Sequence, residues 1–328
     1  MKQREVYVVA EIGVNHEGSL ERCLGLCDDA KWAGADAVKL QIMSPDRAYA
    51  KETESYTVFK SSQLSYEDTR RVYEHCLAIG LDLGATFGDL GSVNEFEKLA
   101  WSFHKISSGL IDYIEQVRLI ANKFPVAPIF VSTGMSSFDE IDNVMDKYSE
   151  AIRRRIVLLQ CTSLYPCPDD QINLSAIPQL RDRYEVRVGF SDHSQSIDIP
   201  SYAVTQGATV IEKHFTFDAS RPGFDHRISL NKYQFHRMVE LIHRVKGILG
   251  SGVKGTSDLC VVSNLRNRRS IVASRDLERG TVICQSDLIA MRTGRSSDLR
   301  LVDMDKYIGR SLNKRISKFN QISTADFE

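Results

Sequence analysis

Eight short apolar runs punctuate the first two-thirds of the chain, and nearly every one gives way at its end to polar residues. They are Val6–Glu11, Ala37–Gln41, Leu83–Thr86, Phe103–Ile106, Ile129–Ser132, Ile156–Cys161, Val186–Ser191 and Thr209–Lys213, each rich in Val, Ile and Phe. Runs of this length and β-branched content read as strands buried on both faces. Between most of them lie segments with apolar spacing near 3.6, such as Leu20–Trp32, Tyr66–Ala78, Ser137–Tyr148 and Pro200–Gln206. Those suit amphipathic helices that close right-handed crossovers. Alternation of strand and helix implies a parallel sheet. With eight units the expected closure is a (β/α)₈ barrel, whose active site lies at the C-terminal ends of its strands.

The polar residues at those ends are Glu11, Lys39, Gln41, Thr86, Lys105, Ser108, Ser132, Thr162, Tyr165, Ser191, His193, Glu212 and His214. Ser191-Asp-His193 and Glu212-Lys-His214 each place a histidine just beyond a strand, on neighbouring positions of the barrel. Two imidazoles can share one divalent ion and leave positions open for water or a substrate oxygen, as a Lewis-acid catalyst requires. A lone histidine after a strand is more often a satisfied surface or core residue, so the motif is read together with its neighbours. Lys39, Lys105, Thr86, Ser108, Ser132 and Ser191 add two ammonium groups and four hydroxyls, a set matched to phosphate or carboxylate. A lysine at the end of a buried strand costs desolvation energy unless an anion compensates.

Glu11 precedes the glycine-bounded turn Ile-Gly-Val-Asn-His-Glu-Gly18, which is expected to present Glu11 and Asn15 to the mouth. A buried carboxylate there fits a general base with a raised pKa or, equally, an ion-pair partner of Lys39. Asp225, in Arg221-Pro-Gly-Phe-Asp-His226, is a candidate for binding substrate hydroxyls, and Pro222-Gly223 also fits a plain turn.

The chain has 328 residues, 42% of them hydrophobic, enough for a barrel and a small second domain. Forty-two basic residues against 43 acidic give a net charge of −1, so no whole-chain field selects nucleic acid or an anionic membrane. No run of about 18 apolar residues occurs, and Met1-Lys-Gln-Arg-Glu-Val lacks a signal-peptide core, so a cytoplasmic protein is expected. Seven cysteines at irregular spacing do not form a disulfide framework and are expected as free thiols, with no function given to Cys23 and Cys27. Character changes after Leu249. The expected organisation is a barrel over 1–249, a connector over 250–267 that opens with flexible Gly250-Ser-Gly-Val-Lys-Gly255, and a compact domain over 268–328. Residues 263–328 carry 13 Lys and Arg against 8 Asp and Glu, which reads mostly as solvated surface with one or two arginines as candidate anion contacts.

Seven stretches, in order, bring out a family pattern: Ala10-Glu-Ile-Gly-Val-Asn-His-Glu-Gly18, Ala37-Val-Lys-Leu-Gln41, Lys105-Ile-Ser-Ser-Gly109, Ser132-Thr-Gly-Met135, Cys161-Thr-Ser-Leu-Tyr-Pro166, Gly189-Phe-Ser-Asp-His193 and Ile211-Glu-Lys-His-Phe-Thr216. Across almost its whole length the chain resembles the sialic acid synthase family, which includes N-acetylneuraminate, legionaminate and pseudaminate synthases and related spore-coat enzymes. Arg269-Ser-Ile-Val-Ala273, Gly280-Thr-Val-Ile283 and Tyr307-Ile-Gly309 look like that family's antifreeze-like domain.

The resemblance implies condensation of phosphoenolpyruvate with the open-chain aldehyde of an amino sugar, with release of phosphate and formation of a nine-carbon 2-keto acid. By position it places Lys39, Thr86, Lys105, Ser108, Ser132, Tyr165 and Ser191 around phosphoenolpyruvate, and Mn²⁺ or Mg²⁺ on His193 and His214. Glu11, His193, Glu212 and His214 form the implied catalytic group, and Gln41, Asp225 and Arg292 the sugar contacts. Arg292 would come from the partner in a domain-swapped homodimer. Four positions depart from the pattern: Leu110, Ser163, Phe224 and Thr293. Leu110 and Phe224 would make the sugar side more apolar, favouring a deoxy or multiply acylated acceptor over N-acetylmannosamine. Two alternatives stay open on the residues: another metal-dependent sugar-converting barrel, isomerase or hydrolase, and a non-catalytic carbohydrate- or ice-binding protein.

Overall fold

The computed structural model describes residues 6–223, 225–255 and 258–328. The chain divides into two compact units, Met1–Gly250 and Ser251–Glu328.

In the first unit the strands are β1 (Tyr7–Gly13), β2 (Ala37–Ile42), β3 (Asp82–Phe87), β4 (Phe103–Ile106), β5 (Ile129–Ser132), β6 (Ile156–Gln160), β7 (Arg187–Asp192) and β8 (Val210–His214). They run parallel in sequence order and close into a barrel through the β1–β8 pair. Strands β4 and β5 span the residues that the apolar pattern predicts, and the other six move by one or two residues at their ends. Asp192 and His214 stay in the ladder because backbone pairing continues past the first polar side chain.

Alternation sorts each strand into two faces. Tyr7, Val9, Ala37, Phe103, Phe130, Val157, Leu159 and Val210 fill the barrel interior, where the rings of Phe103 and Phe130 stack at 4.6 Å. Gly84 makes this layer possible, since a Cβ there would sit 2.2 Å from the Phe103 ring. The opposite faces, among them Val8, Val38, Leu83, Ile129, Leu158, Phe190 and Ile211, join the larger core beneath the helices. Two residues further along the inward face, toward the C-terminal end, hydrophobic gives way to chemistry: Val9 to Glu11, Ala37 to Lys39, Gly84 to Thr86, Phe103 to Lys105, Phe130 to Ser132 and Val210 to Glu212.

The helices are α1 (Leu20–Trp32), α2 (Pro45–Ala48), α3 (Glu54–Ser62), α4 (Tyr66–Ile79), α5 (Leu90–Glu95), α6 (Ile114–Lys123), α7 (Phe138–Met145), α8 (Glu150–Arg153), α9 (Ala176–Tyr184), α10 (Ile199–Thr205) and α11 (Lys232–Leu249). Helix α1 starts where Ser19 accepts a hydrogen bond from the Arg22 amide, and α7 starts at a reciprocal cap between Ser137 and Glu140. The apolar spacing assigns only α4 to the connection after β2. Helices α2 and α3 escape it because neither buries a continuous stripe: Pro45 and Ser62 are their only fully buried residues.

The second unit pairs β9 (Ser270–Ala273) with β10 (Leu288–Met291) in an antiparallel ribbon over its own small core of Ile271, Leu277, Ile283, Leu299, Leu312, Ile316, Ile322 and Phe327. Beyond the glycine-rich start of the expected connector, its remaining described residues are helical, with a 3₁₀ turn at Asp258–Cys260 followed by Val261–Asn267. No helix of the described residues is long and apolar enough to cross a membrane. All seven cysteines are free, with the sulfurs of Cys76 and Cys27 3.7 Å apart between α4 and α1.

Candidate active site

A cavity of about 590 Å³ opens at the C-terminal ends of the strands. Glu11, Lys39, Gln41, Thr86, Lys105, Ser108, Ser132, Tyr165, Ser191, His193, Glu212, His214 and Asp225 all line it, twelve of them candidates on strand ends or the turns that follow and the last on the β8 loop.

Glu212 is the hub of the floor. Its Oε1 accepts from Lys105 Nζ at 2.7 Å, Ser191 Oγ at 2.9 Å and Lys39 Nζ at 3.2 Å. Lys39 Nζ also lies 2.6 Å from Glu11 Oε2, and Gln41 Nε2 donates to Glu11 Oε1 at 3.0 Å. Strand register makes these contacts, since Glu11 stands opposite Lys39 and Ser191 opposite Glu212. The compensating charge expected for the two buried lysines comes from within the fold, from Glu212 and from Glu11, the ion-pair partner expected for Lys39. Burial opposes ionisation of Glu212, yet the Lys105 and Lys39 ammonium groups outweigh it and hold the carboxyl well below its ordinary range. Burial pulls Lys39 down to about 7 against the opposing field of Glu212.

Gly13 is fixed here by two demands. Its φ is +42°, and a Cβ would fall 2.6 Å from Glu11 Oε1 and 3.1 Å from Asp225 Oδ2. Glu11, Gln41 and Asp225 thus crowd around one glycine.

The two histidines stand side by side with ring centroids 5.6 Å apart. Burial keeps both neutral, His193 at about 4 and His214 well below its ordinary value. His193 Nδ1 is 2.8 Å from the Thr162 carbonyl, so Nδ1 carries the proton and Nε2 keeps its lone pair, facing Tyr165 Oη at 3.3 Å. His214 Nδ1 has no hydrogen-bond partner and lies 3.6 Å from Asp225 Oδ2. Burial raises the Asp225 carboxyl to about 6, with Lys39 opposing the rise. Among the described residues no three His, Cys, Asp or Glu side chains converge as a complete metal site. What exists is a pair of neutral imidazoles with an orphaned ring nitrogen between them and a carboxylate. That donor set fits a divalent ion that takes its remaining ligands from oxygen. Thr86 Oγ1, Ser132 Oγ and Glu212 Oε2 are likewise buried without hydrogen-bond partners, so three of the unsatisfied groups besides His214 face one cavity.

Two expectations are corrected. Asn15 does not reach the cavity; its Nδ2 donates to the Phe215 carbonyl and Ser229 Oγ and ties the β1 turn to the β8 turn. Thr162 spends its hydroxyl on the Gln171 carbonyl and serves His193 through its backbone instead. Ser108 lines the cavity as expected by position, with its Oγ 3.2 Å from Cys161 Sγ and accepting from the Gly134 amide. Arg292 is exposed just after β10 in the second unit, and Phe224 lies outside the described residues.

The sequence reading misses one wall of the cavity. Met43, Ala48, Tyr49, Ser55 and Phe59 from the α2–α3 segment line it together with Met135 and Leu110, and Tyr49 stacks on Phe59 at 5.1 Å. Arg227 lines it too and donates to the Tyr165 carbonyl at 3.0 Å. A signal did exist for the wall in the aromatic residues spaced through Tyr49, Tyr56 and Phe59, but without helical periodicity it points to no core face.

Residues 26–254 match the NeuB family and residues 268–328 the SAF domain. The N,N'-diacetyllegionaminic acid synthase of Legionella pneumophila is 35% identical over an alignment 329 positions long that covers 95% of this chain and 91% of that protein. The pseudaminic acid synthase of Campylobacter jejuni is 31% identical over 99% of this chain and 97% of its own length. Among solved structures, an N-acetylneuraminic acid (sialic acid) synthetase of Leptospira borgpetersenii superposes with a TM-score of 0.74 at 30% identity, covering 78% of this chain and 89% of that one. A barrel with this cavity, followed by a SAF domain, makes the chain a member of the NeuB family and an enzyme of the sialic acid synthase type.

Proposed function

We propose that the enzyme joins phosphoenolpyruvate to the open-chain aldehyde of an amino sugar, adding water and releasing phosphate to give a nine-carbon 2-keto acid. The observation that carries this reading is the convergence of two lysines, orphaned hydroxyls and a neutral histidine pair on one cavity. An isomerase or hydrolase has use for the histidines and Glu11 but none for the lysine–hydroxyl floor.

Lys39, Lys105, Thr86, Ser108, Ser132, Tyr165 and Ser191 hold the phosphate and carboxylate of phosphoenolpyruvate. An arriving trianion competes with Glu212 for the two ammonium groups, and the orphaned hydroxyls of Thr86 and Ser132 offer donors already in place. Mn²⁺ or Mg²⁺ bound by His193 and His214 supplies Lewis-acid polarisation of the aldehyde oxygen. The alkene carbon of phosphoenolpyruvate bonds to the aldehyde carbon, C2 becomes cationic and takes up water, and the C2–O bond to phosphate then breaks as the ketone forms. Glu11 is close enough to Lys39 and Gln41 to be held in one orientation, and it accepts the proton from that water. Gln41 and Asp225 bind hydroxyls of the sugar, and Arg292 reaches it from the partner subunit of a domain-swapped homodimer. Deleting residues 268–328 should then abolish turnover and leave the barrel folded.

For the acceptor, the apolar wall of Met43, Tyr49, Phe59, Leu110 and Met135 favours a deoxy, multiply acylated sugar over N-acetylmannosamine. The product named for the Legionella relative carries two N-acetyl groups, in keeping with such a wall. The test is phosphate release from phosphoenolpyruvate with Mn²⁺ across a panel of 2-acetamido and 2,4-diacetamido hexoses, with mass spectrometry of the products. Release that depends on a sugar, with a product three carbons longer, is the expected result. N-Acetylmannosamine turned over at or above the rate of 6-deoxy diacetamido sugars would refute the acceptor assignment alone.

A further inference from the structure

The outward faces of the barrel strands are apolar where they meet the helices, with Val188 and Phe190 on β7 and Ile211 on β8. At the C-terminal ends of the same two strands the pattern breaks. Asp192 and Lys213 face outward there, stand directly opposite each other in the ladder, and have side chains 1% and 0% exposed.

Lys213 Nζ donates to Asp192 Oδ2 at 2.7 Å, to the Ser194 carbonyl at 2.5 Å and to Ser194 Oγ at 3.3 Å, which uses all three of its protons. Asp192 in turn accepts from the Ser194 amide at 2.8 Å and from Ser194 Oγ at 3.1 Å. The residues on either side of His193 are therefore both fastened to the residue that immediately precedes His214. A buried ion pair is poor evidence of stabilisation, because desolvation of two ions offsets their attraction and an apolar pair of equal volume often serves as well. Its position, not its energy, needs an explanation.

We infer that the Asp192–Lys213–Ser194 network is a positioning clip that sets the spacing and orientation of His193 and His214 for a divalent ion. This rests on reading the two rings as metal donors. On the inner face His193 is held at both ring nitrogens, Nδ1 on the Thr162 carbonyl and Nε2 facing Tyr165 Oη, whereas His214 Nδ1 has no hydrogen-bond partner and lies 3.6 Å from Asp225 Oδ2. Those contacts fix how the His193 ring turns, and no hydrogen bond at Nδ1 does so for His214. The distance between the two backbones that carry the rings is set by the clip behind them. Lys213 is thus a positioning residue with no access to substrate.

The test uses the full-length protein and the variant Asp192→Asn/Lys213→Met, which removes both charges and keeps the volume. Mn²⁺ affinity is measured by electron paramagnetic resonance of the free ion, alongside Tm and the KM for phosphoenolpyruvate. The clip predicts Mn²⁺ binding weaker by roughly 10- to 100-fold, the usual effect of losing support behind metal ligands. Tm and the KM for phosphoenolpyruvate should stay close to those of the parent, which separates positioning from a general loss of structure. Mn²⁺ affinity within about twofold of the parent in a folded variant would overturn the clip. Should that variant not fold, Ser194→Ala keeps both charges and removes the hydroxyl shared by Asp192 and Lys213. It should weaken Mn²⁺ by roughly tenfold, and an unchanged affinity would overturn the proposal. Parent protein whose Mn²⁺ binding is indifferent to His193→Ala would instead refute the metal reading, and the clip with it.

Discussion

Two walls of one cavity are built in opposite ways. The floor comes from strand ends, where Glu11, Lys39, Lys105, Ser132, Ser191 and Glu212 are all buried and held by ladder register. The facing wall comes from two short helices in the β2–β3 connection, fastened to the barrel by side chains. Asp46 accepts from Lys60 and Tyr56 to join α2 to α3, and Arg47 donates to Asp89 at 2.6 Å to hold α2 against the turn after β3. A change in the floor disturbs the barrel itself, whereas the wall can change shape without moving a strand. Under the proposed function, the groups that would react and the groups that would select the sugar thus stand on separate parts of the framework.

The floor should fail completely when one member is lost. Lys105→Met leaves Glu212 buried with only Lys39 as counter-charge, so stability should fall by about 3–5 kcal/mol in chemical denaturation. Turnover should drop on every acceptor by about 10³-fold, the scale of removing a fixed cationic or hydrogen-bond donor from a developing charge. Loss confined to one acceptor would break the division between floor and wall. Glu11→Gln should lower kcat by about 10²- to 10⁴-fold with little change in either KM, as expected for a lost proton acceptor. Full turnover in that variant would remove Glu11 from the chemistry and leave it as the ion-pair partner of Lys39.

The same division explains what the sequence reveals. Floor residues are legible because strands alternate: once Val9, Ala37 and Phe103 are placed inside, Glu11, Lys39 and Lys105 must follow on the same face. Their mutual contacts are less legible. Nothing along the chain shows that Glu212 alone bridges Lys39, Lys105 and Ser191, because that depends on barrel closure bringing β2, β4, β7 and β8 around one axis. Asn15 illustrates the reverse error. It lies four residues beyond Glu11 in a polar turn, yet the turn folds back and spends it on the β8 loop. The wall is least legible, since Tyr49 and Phe59 face a cavity and so leave no amphipathic stripe in α2 or α3.

A mutation in the wall should therefore do what a mutation in the floor cannot. Phe59→Ala removes the ring that stacks on Tyr49 and opens the apolar side of the cavity. Relative kcat/KM for 6-deoxy diacetamido acceptors over their 6-hydroxy counterparts should fall by about 10- to 200-fold, the range in which an apolar pocket discriminates. The KM for phosphoenolpyruvate should not move. Equal losses on all acceptors would show that the wall also supports the chemistry.

The smallest expected effect tests the floor without dismantling it. Burial pulls the Lys39 pKa down to about 7, so in the free enzyme its ammonium group is present below that pH and is lost as pH rises through it. An anion that needs this charge should bind more weakly on the alkaline side. The KM for phosphoenolpyruvate should therefore rise by about fivefold to tenfold between pH 7 and 8, the slope of one lost proton per unit. Lys39→Arg supplies a group that stays charged across this range, and its profile should be flat there even if its overall rate is lower. A slope that persists in Lys39→Arg would move the titration to another group. The Lys39 charge would then be permanent, fixed by Glu11 at 2.6 Å on one side and Glu212 at 3.2 Å on the other.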